Sequence, residues 1–176
     1  SILSDHVQPF AVFDDSMRRL YVDQMELMSE YETAIANEEF KVYYQPVVEA
    51  TSGNLISAEA LVRWVHPQRG LVSPAAFIPA LENGGHISKL DWFIADRVAK
   101  VDQRCYAEVI PVVPVSVNLS WMDFYDEEML QRLVELLKSD AIKKGDIRLE
   151  ITETSYAALE SDREKILEEF HLSGAK

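Results

Sequence analysis

The feature that most constrains the fold is a set of strand-like segments in which apolar and polar side chains alternate. In residues 55–64 the even positions from Ile56 onward are apolar, whereas the odd positions include Glu59 and Arg63. Successive side chains point to opposite faces of a strand, so such a segment has one apolar and one polar face. The apolar face requires a covering layer, and the polar face requires solvent, a ligand or other polar groups.

Two further segments have the same alternation. In residues 113–119, three valines and a leucine alternate with residues that include Ser116 and Asn118. In residues 147–152, two isoleucines and a leucine alternate with polar residues that include Glu150. The sequence therefore predicts three strands with their apolar faces toward covering helices and their polar faces toward a shared interior.

Helical periodicity separates these strands. The spacing of apolar residues predicts a strand at 40–48 and helices at about 73–83, 88–105, 126–138 and 161–172. Strands separated by helices are typical of parallel βαβ units, and hence of a doubly wound sheet or a (β/α) barrel. Four strands do not close the usual barrel of eight. The predicted α/β fold therefore looks like one that has been cut in half.

The first 37 residues follow a different pattern. From Asp14 to Ile35 apolar residues recur at three- and four-residue steps, which predicts one helix of about 20 residues. Two interpretations of this helix stay open. It either packs on its own domain, or it serves as a connector or as a dimer interface. We expect two parts, a connecting helix at 1–37 and the half-barrel at 38–176.

Composition excludes several classes of protein. The net charge of −13 argues against a nucleic-acid polymer as ligand, because neutralising phosphates requires Lys and Arg. The single cysteine, Cys105, has no disulfide partner in the chain, as expected in a reducing compartment. No apolar run reaches the roughly 18 residues of a spanning helix, and no secretory signal opens the chain. We expect a soluble, cytoplasmic segment without membrane contact of its own, although the parent protein could be tethered elsewhere.

In a barrel, the carboxyl ends of the strands meet at one mouth, where barrel enzymes have their active sites. Glu59, Asn118 and Glu150 then offer carboxylate and amide oxygens from three strands, a set that suits Mg²⁺ or Mn²⁺. Arg63 lies about 13 Å along the strand from Glu59, on the same face, where it could pair with a ligand phosphate. The alternative is a structural network in which these polar residues satisfy one another. Glu153 has the opposite parity and is predicted to anchor a loop.

At these residues the sequence resembles the EAL domain family. The segments that carry the resemblance are YYQPVVEATSGNLISAEALVRWVHPQRGLVSPAAFIP at 43–79, VPVSVNLS at 113–120 and IRLEITE at 147–153. The resemblance covers about residues 38–176. The family folds as a (β/α)8-type barrel and hydrolyses the bacterial messenger cyclic di-GMP to linear pGpG with Mg²⁺ or Mn²⁺. The resemblance therefore implies a cyclic di-GMP phosphodiesterase, and for this chain the N-terminal half of a (β/α)8 TIM-like barrel preceded by a connecting helix.

The resemblance also implies roles for individual residues. Glu59 of the EAL signature, Asn118 and Glu150 would bind the metal, and the two glutamates would be catalytic. Gln45 and Arg63 would contact the substrate. The metal would activate a water molecule for attack on phosphorus and neutralise the charge that develops.

Further consequences concern the parent protein. Glu153 would stabilise a catalytic loop, and the family's later motifs would follow Lys176, so we expect little or no hydrolysis from this chain alone. Residues 1–37 weakly resemble the end of a GGDEF domain. An open half-barrel exposes strand edges and apolar surface, which predicts a homodimer. Two functions stay open for the parent: a metal-dependent phosphodiesterase, or a receptor that binds cyclic di-GMP without cleaving it.

Overall fold

The computed structural model describes residues 15–140 and 142–151. The helices are α1 (Asp15–Ala36), α2 (Pro74–Asn83), α3 (Ile87–Ala107) and α4 (Glu127–Lys138). The strands are β1 (Phe40–Val48), β2 (Leu55–His66), β3 (Gly70–Val72), β4 (Val115–Leu119) and β5 (Ile147–Ile151). A short 3-10 helix (Trp121–Tyr125) follows β4. The helix predicted at 161–172 lies outside the described residues.

The strands form one mixed sheet in the order β1-β2-β4-β5. β1 and β2 form an antiparallel hairpin, whose turn places Gly53 at φ 72°. β4 and β5 run parallel to β2, so the predicted parallel arrangement is confirmed from β2 onward. β3 pairs antiparallel with the end of β2, on the edge that β4 also uses. The sequence did not predict β3, because three residues are too few to show a period.

The predicted alternation of strand faces is confirmed. In β2 every even residue from Ala58 to His66 is buried, whereas the odd residues are partly or fully exposed. Ile56, beside the hairpin turn, was predicted on the same apolar face but is half exposed. The strand predicted at 113–119 begins only at Val115. Helices α2 and α3 pack on the apolar face of the sheet, and α4 packs on α3.

An aromatic cluster joins α1, the hairpin and α2. The rings of Phe40 and Trp64 lie 4.8 Å apart between centroids, and each contacts Phe77 at 5.6 Å. Tyr31 of α1 contacts Phe40 edge-on at 6.0 Å. The indole N–H of Trp64 donates a hydrogen bond to Glu39 at 2.9 Å. Because all four rings are almost fully buried, this cluster stabilises the join between the first helix and the sheet.

Two helix starts differ in how they are capped. α2 begins as predicted, with Pro74 at its first position after Ser73. The side chain of Ser73, however, makes no capping hydrogen bond. In α4 the carboxylate of Asp126 accepts a hydrogen bond from the backbone N–H of Met129 at 3.0 Å. Asp126 therefore satisfies a backbone donor that the helix itself leaves unpaired.

Helix α1 has two different halves. In the C-terminal half, Leu27, Tyr31 and Ala34 are buried against the domain. In the N-terminal half, large apolar side chains are exposed: Met17, Tyr21, Val22 and Met25. The C-terminal half is thus packed on its own domain, as one of the two interpretations expected. Within the described ranges, no helix combines the length and apolarity needed to cross a bilayer.

Acidic side chains also join the packed half of α1 to the sheet. Glu26 pairs with Arg69 at 2.5 Å, and Glu30 contacts Nε2 of His66 at the end of β2. Nδ1 of His66 accepts hydrogen bonds from two backbone N–H groups of the following turn. Nε2 therefore carries the proton that is donated to Glu30. Glu26 and Glu30 are partly exposed, so burial of the apolar face contributes more to stability than these pairs do.

Replacing Leu133 with alanine tests the packing of α4. Leu133 is fully buried, so its truncation removes apolar contacts and leaves a cavity. We expect the free energy of unfolding, measured by urea denaturation, to fall by about 2–5 kcal/mol. Leu71→Ala in β3 is the matched control, because Leu71 is 62% exposed; its effect should stay below about 0.5 kcal/mol. Equal losses in the two variants would contradict the packing described.

Candidate functional site

The polar faces of β2, β4 and β5 together form what we call the site face, defined by Glu59, Asn118 and Glu150. Parallel pairing places Glu59 beside Ser116 and Asn118 beside Glu150. The amide nitrogen Nδ2 of Asn118 donates a hydrogen bond to Oε1 of Glu59 at 2.9 Å. The structure therefore brings the three predicted oxygen donors to adjacent positions on three neighbouring strands.

The site face is accessible to a ligand. Asn118 and Glu150 are exposed and Glu59 is half-buried. Asn118 and Glu150 are the penultimate residues of their strands, and the carboxyl ends of parallel strands are where barrel enzymes bind substrates. In the part of the chain that the structure describes, no group of three or more His, Cys, Asp and Glu side chains could hold an ion. The site face instead combines two carboxylates with one amide.

The predicted substrate-contacting residues lie on the hairpin. Gln45 faces Glu59 across the β1–β2 pair, and Arg63 faces Lys41. Cross-strand partners project from the same side of a sheet. Both pairs therefore project from the side of the sheet that carries the site face. One guanidinium nitrogen of Arg63 donates a hydrogen bond to the carbonyl of Val62 at 2.9 Å. The structure thus places Gln45 next to the oxygen donors, and Arg63 farther along the strand. Glu153 lies outside the described residues.

Lys41 is a site-face residue that sequence reasoning missed. Alternation along β1 assigns it the parity of Gln45, but only the register of the hairpin reveals that it faces Arg63. Like charges directly opposite each other on a sheet are destabilising. An anionic group between Lys41 and Arg63 would remove that repulsion.

Two buried carboxyl groups lie at the end of β4. Asp91 of α3 and Asp123 of the 3-10 helix each accept a hydrogen bond from the backbone N–H of Ser120, at 3.1 Å and 3.0 Å. We call Asp91 and Asp123 the carboxyl pair. Burial raises the pKa of both groups, and the charge of Asp123 raises the pKa of Asp91 further. The hydroxyl of Ser120 donates to Glu82 of α2 at 3.2 Å.

Sequence reasoning also missed the carboxyl pair, although a signal existed. Asp91 falls on the buried stripe of α3, between Leu90 and Ile94, where apolar residues are expected. A carboxylate at a buried helical position requires hydrogen-bond donors from the surrounding fold. The burial of Asp123 could not be predicted in this way, because a 3-10 helix of five residues is too short to show a periodic buried face.

A further buried acid, Asp102, lies about three helical turns after Asp91 on α3. Burial raises the pKa of Asp102 to about 6, and the charge of Asp146, just before β5, contributes to the shift. Asp146 precedes the amino end of β5, whereas the site face is at the carboxyl ends of the strands. Asp102 therefore belongs to the opposite end of the sheet from the candidate site.

The fold and the site together define a class of protein. Parallel strands are covered by helices on one face, and they carry an oxygen-rich polar face near their carboxyl ends, as in an α/β barrel with its site at the barrel mouth. Comparison with known proteins specifies the family. The sequence model of the EAL domain matches residues 28–176, and the chain belongs to that family.

Two relatives illustrate the match. Over 130 residues the chain is 36% identical to a cyclic di-GMP phosphodiesterase of Pseudomonas aeruginosa, covering 73% of this chain and 22% of that protein. Over 146 residues it is 27% identical to the bifunctional diguanylate cyclase/cyclic di-GMP phosphodiesterase MucR of the same species, covering 83% of this chain and 21% of MucR. The chain thus spans about a fifth of the length of these relatives.

A solved structure confirms the predicted fold class. The PaMucR phosphodiesterase in complex with c-di-GMP matches with a TM-score of 0.75 at 28% sequence identity. The match covers 85% of this chain and 61% of the PaMucR chain. The chain therefore has the architecture of the N-terminal half of an EAL barrel, as the alternation of strands and helices predicted.

Replacing Asp102 with asparagine should stabilise the protein in a pH-dependent way. Because burial raises the pKa of Asp102 to about 6, the folded state binds this proton more tightly than the unfolded state does. The charged carboxylate is therefore unfavourable at pH values above the raised pKa and absent near pH 4. We expect Asp102→Asn to raise the free energy of unfolding by about 1 kcal/mol near pH 8 and to leave it unchanged near pH 4.

The measurement is urea denaturation at both pH values. Asp96→Asn is the matched control on the same helix, because Asp96 is ion-paired with Lys100 at 2.7 Å and should show no gain at the higher pH. A gain from Asp102→Asn that is equal at both pH values would contradict the assignment.

Proposed function

We propose that this chain is part of a cyclic di-GMP phosphodiesterase, which hydrolyses cyclic di-GMP to linear pGpG in bacterial signalling. The observation that carries the proposal is the adjacency of Glu59, Asn118 and Glu150 on three neighbouring strands. Membership of the EAL domain family and relatives named cyclic di-GMP phosphodiesterases support it.

The donors of the site face fit a hard divalent cation, Mg²⁺ or Mn²⁺. Glu59 and Glu150 provide carboxylate oxygens. Asn118 already uses Nδ2 to donate to Glu59, so its amide oxygen Oδ1 is the atom left for a cation. Such a metal, when bound, supplies Lewis-acid stabilisation and lowers the pKa of a bound water.

The residues of the hairpin would bind and orient the substrate. Gln45 lies opposite Glu59, where its amide can donate a hydrogen bond to a phosphate or base next to the metal ligands. Arg63 and Lys41 face each other farther along the hairpin. Together they supply the positive charge that a phosphodiester requires. The chain as a whole is acidic, with a net charge of −13.

The remaining assignments follow from the motifs. Residues 38–176 are assigned to the N-terminal half of the EAL domain, and residues 1–37 to a connecting helix together with the tail of a preceding GGDEF domain. Glu153 is assigned a role in stabilising a catalytic loop. Because the proposed substrate is an intracellular messenger, the site is assigned to the cytoplasm.

Replacing Glu59 with glutamine in the full-length protein tests the proposal. The substitution keeps the size of the side chain but removes the negative charge of a proposed metal ligand. We expect hydrolysis of cyclic di-GMP with Mg²⁺ or Mn²⁺ to fall at least about 100-fold. The measurement is the formation of pGpG, followed by chromatography.

Glu49→Gln is the matched control, because Glu49 lies in the hairpin turn, away from the three oxygen donors. It should keep the wild-type rate. A wild-type rate in Glu59→Gln would refute the assigned site. A wild-type protein that binds cyclic di-GMP in Ca²⁺ but forms no pGpG with Mg²⁺ or Mn²⁺ would instead be a receptor.

We also propose that the protein forms homodimers. β1 is an edge strand of the described sheet, and its residues Val47 and Val48 are 43% and 53% exposed. Exposed apolar side chains on an edge strand favour pairing with a second copy. We expect light scattering to give the mass of a dimer and Val48→Lys to shift it toward the monomer. Val109→Lys is the control at an exposed loop position, and equal masses for both variants would contradict this interface.

A further inference from the structure

We propose that Asp91 and Asp123, the carboxyl pair, are positioning residues that act through the backbone of Ser120 to fix the amide of Asn118. The inference rests on the proposed function, because Asn118 is a proposed metal ligand. Neither member of the pair lies on the site face: Asp91 is on α3, and Asp123 is on the 3-10 helix.

Hydrogen bonds from three elements fix the position of Ser120. Ser120 follows Asn118 by two residues and is the first residue after β4. Its backbone N–H lies within hydrogen-bond distance of both carboxyl groups, at 3.1 Å and 3.0 Å, and its hydroxyl donates to Glu82 at 3.2 Å. Carboxyl groups from α2, α3 and the 3-10 helix therefore hold one residue. A strand end fixed from three elements cannot shift without breaking several buried hydrogen bonds.

The closeness of the two carboxyl groups determines how many protons they hold. The acceptor oxygens of Asp91 and Asp123 both lie close to one N–H group, at 3.1 Å and 3.0 Å, and two ionised carboxylates so close together in a buried site repel each other. Beyond burial, the charge of Glu82 raises the pKa of Asp91 and the charge of Asp126 raises the pKa of Asp123, whereas the hydroxyl of Ser88 lowers the pKa of Asp123. Burial and, after it, the charge of Asp91 raise the pKa of the phenol of Tyr31 on α1. The pair therefore shares one proton, as two neighbouring buried carboxyl groups do.

The shared proton makes the position of Ser120 depend on pH. Burial raises the pKa of both acids above their unfolded values, so stability falls as pH rises through the folded pKa. Once the proton leaves, two negative charges repel each other in a buried site. The two carboxylates can then no longer both remain at Ser120, and the end of β4 loosens on the alkaline side.

The experiment compares three variants of the full-length protein. Asp91→Asn keeps an acceptor for the N–H of Ser120 and a donor toward Asp123, but it has no proton to lose. Asp91→Ala removes the contact. Asp102→Asn is the matched control, because it changes another buried aspartate of the same helix that is not bonded to Ser120.

Three quantities are measured: hydrogen exchange of the Ser120 amide without metal, Mn²⁺ affinity by calorimetry, and the pH profile of cyclic di-GMP hydrolysis. We expect Asp91→Ala to speed the exchange and to weaken Mn²⁺ binding, each by about 10-fold. The exchange rate and the Mn²⁺ affinity of Asp91→Asn should both stay within about threefold of wild type near neutral pH. At alkaline pH this variant should lose less Mn²⁺ affinity than wild type does.

The outcomes separate the two proposals. If Asp91→Ala matches Asp102→Asn in both the exchange rate of the Ser120 amide and the Mn²⁺ affinity, the positioning role is wrong. This conclusion holds whatever the rate of cyclic di-GMP hydrolysis. If Asp91→Asn loses Mn²⁺ affinity with rising pH as wild type does, the shared proton is wrong. If wild type forms no pGpG, the phosphodiesterase proposal fails, while exchange and Mn²⁺ binding still test the role of the pair.

Discussion

The parallel pairing of β2, β4 and β5 sets where every proposed functional side chain lies. In a parallel ladder the neighbours are fixed by register, so Asn118 has Glu150 beside it, and the segment of β2 that carries Glu59 pairs with β4. A shift of one residue in either pair would turn a proposed ligand toward the helices and bury a charge against apolar side chains. Valine, isoleucine and leucine at the alternate positions oppose such a shift, because they would then be exposed. The apolar face of each strand thus specifies the geometry of its polar face.

The helices that cover the sheet do more than exclude water. α3 carries buried acids near both ends, Asp91 beside the end of β4 and Asp102 at the opposite end of the sheet. Buried carboxyl groups reduce stability unless the fold supplies donors. Near the site the donor is the backbone of Ser120. The same covering helix therefore provides apolar packing and also holds the strand that bears Asn118.

Much of this arrangement follows from the sequence alone. The alternation in residues 55–64 and 147–152 assigned Glu59 and Glu150 to one face without any structure, and the bounds of α1 to α4 were predicted to within a few residues. What the sequence left undetermined depends on contacts between distant segments. The register that places Lys41 opposite Arg63 is set by the whole hairpin, and the contact of Asp91 with Ser120 joins residues far apart in the chain. Periodicity describes one element at a time, so it predicts neither the register of the hairpin nor the contact of Asp91 with Ser120.

The two halves of α1 have a mechanical consequence. An α-helix of 22 residues is about 33 Å long and resists twisting about its own axis. A rotation of the helix near Met17 would therefore be passed toward Tyr31 through the continuous backbone hydrogen bonds of the helix. Tyr31 packs on Phe40, and Glu30 contacts His66 at the end of β2. The helix thus connects mechanically, through an aromatic contact and a hydrogen bond, to the hairpin that carries Gln45 and Glu59.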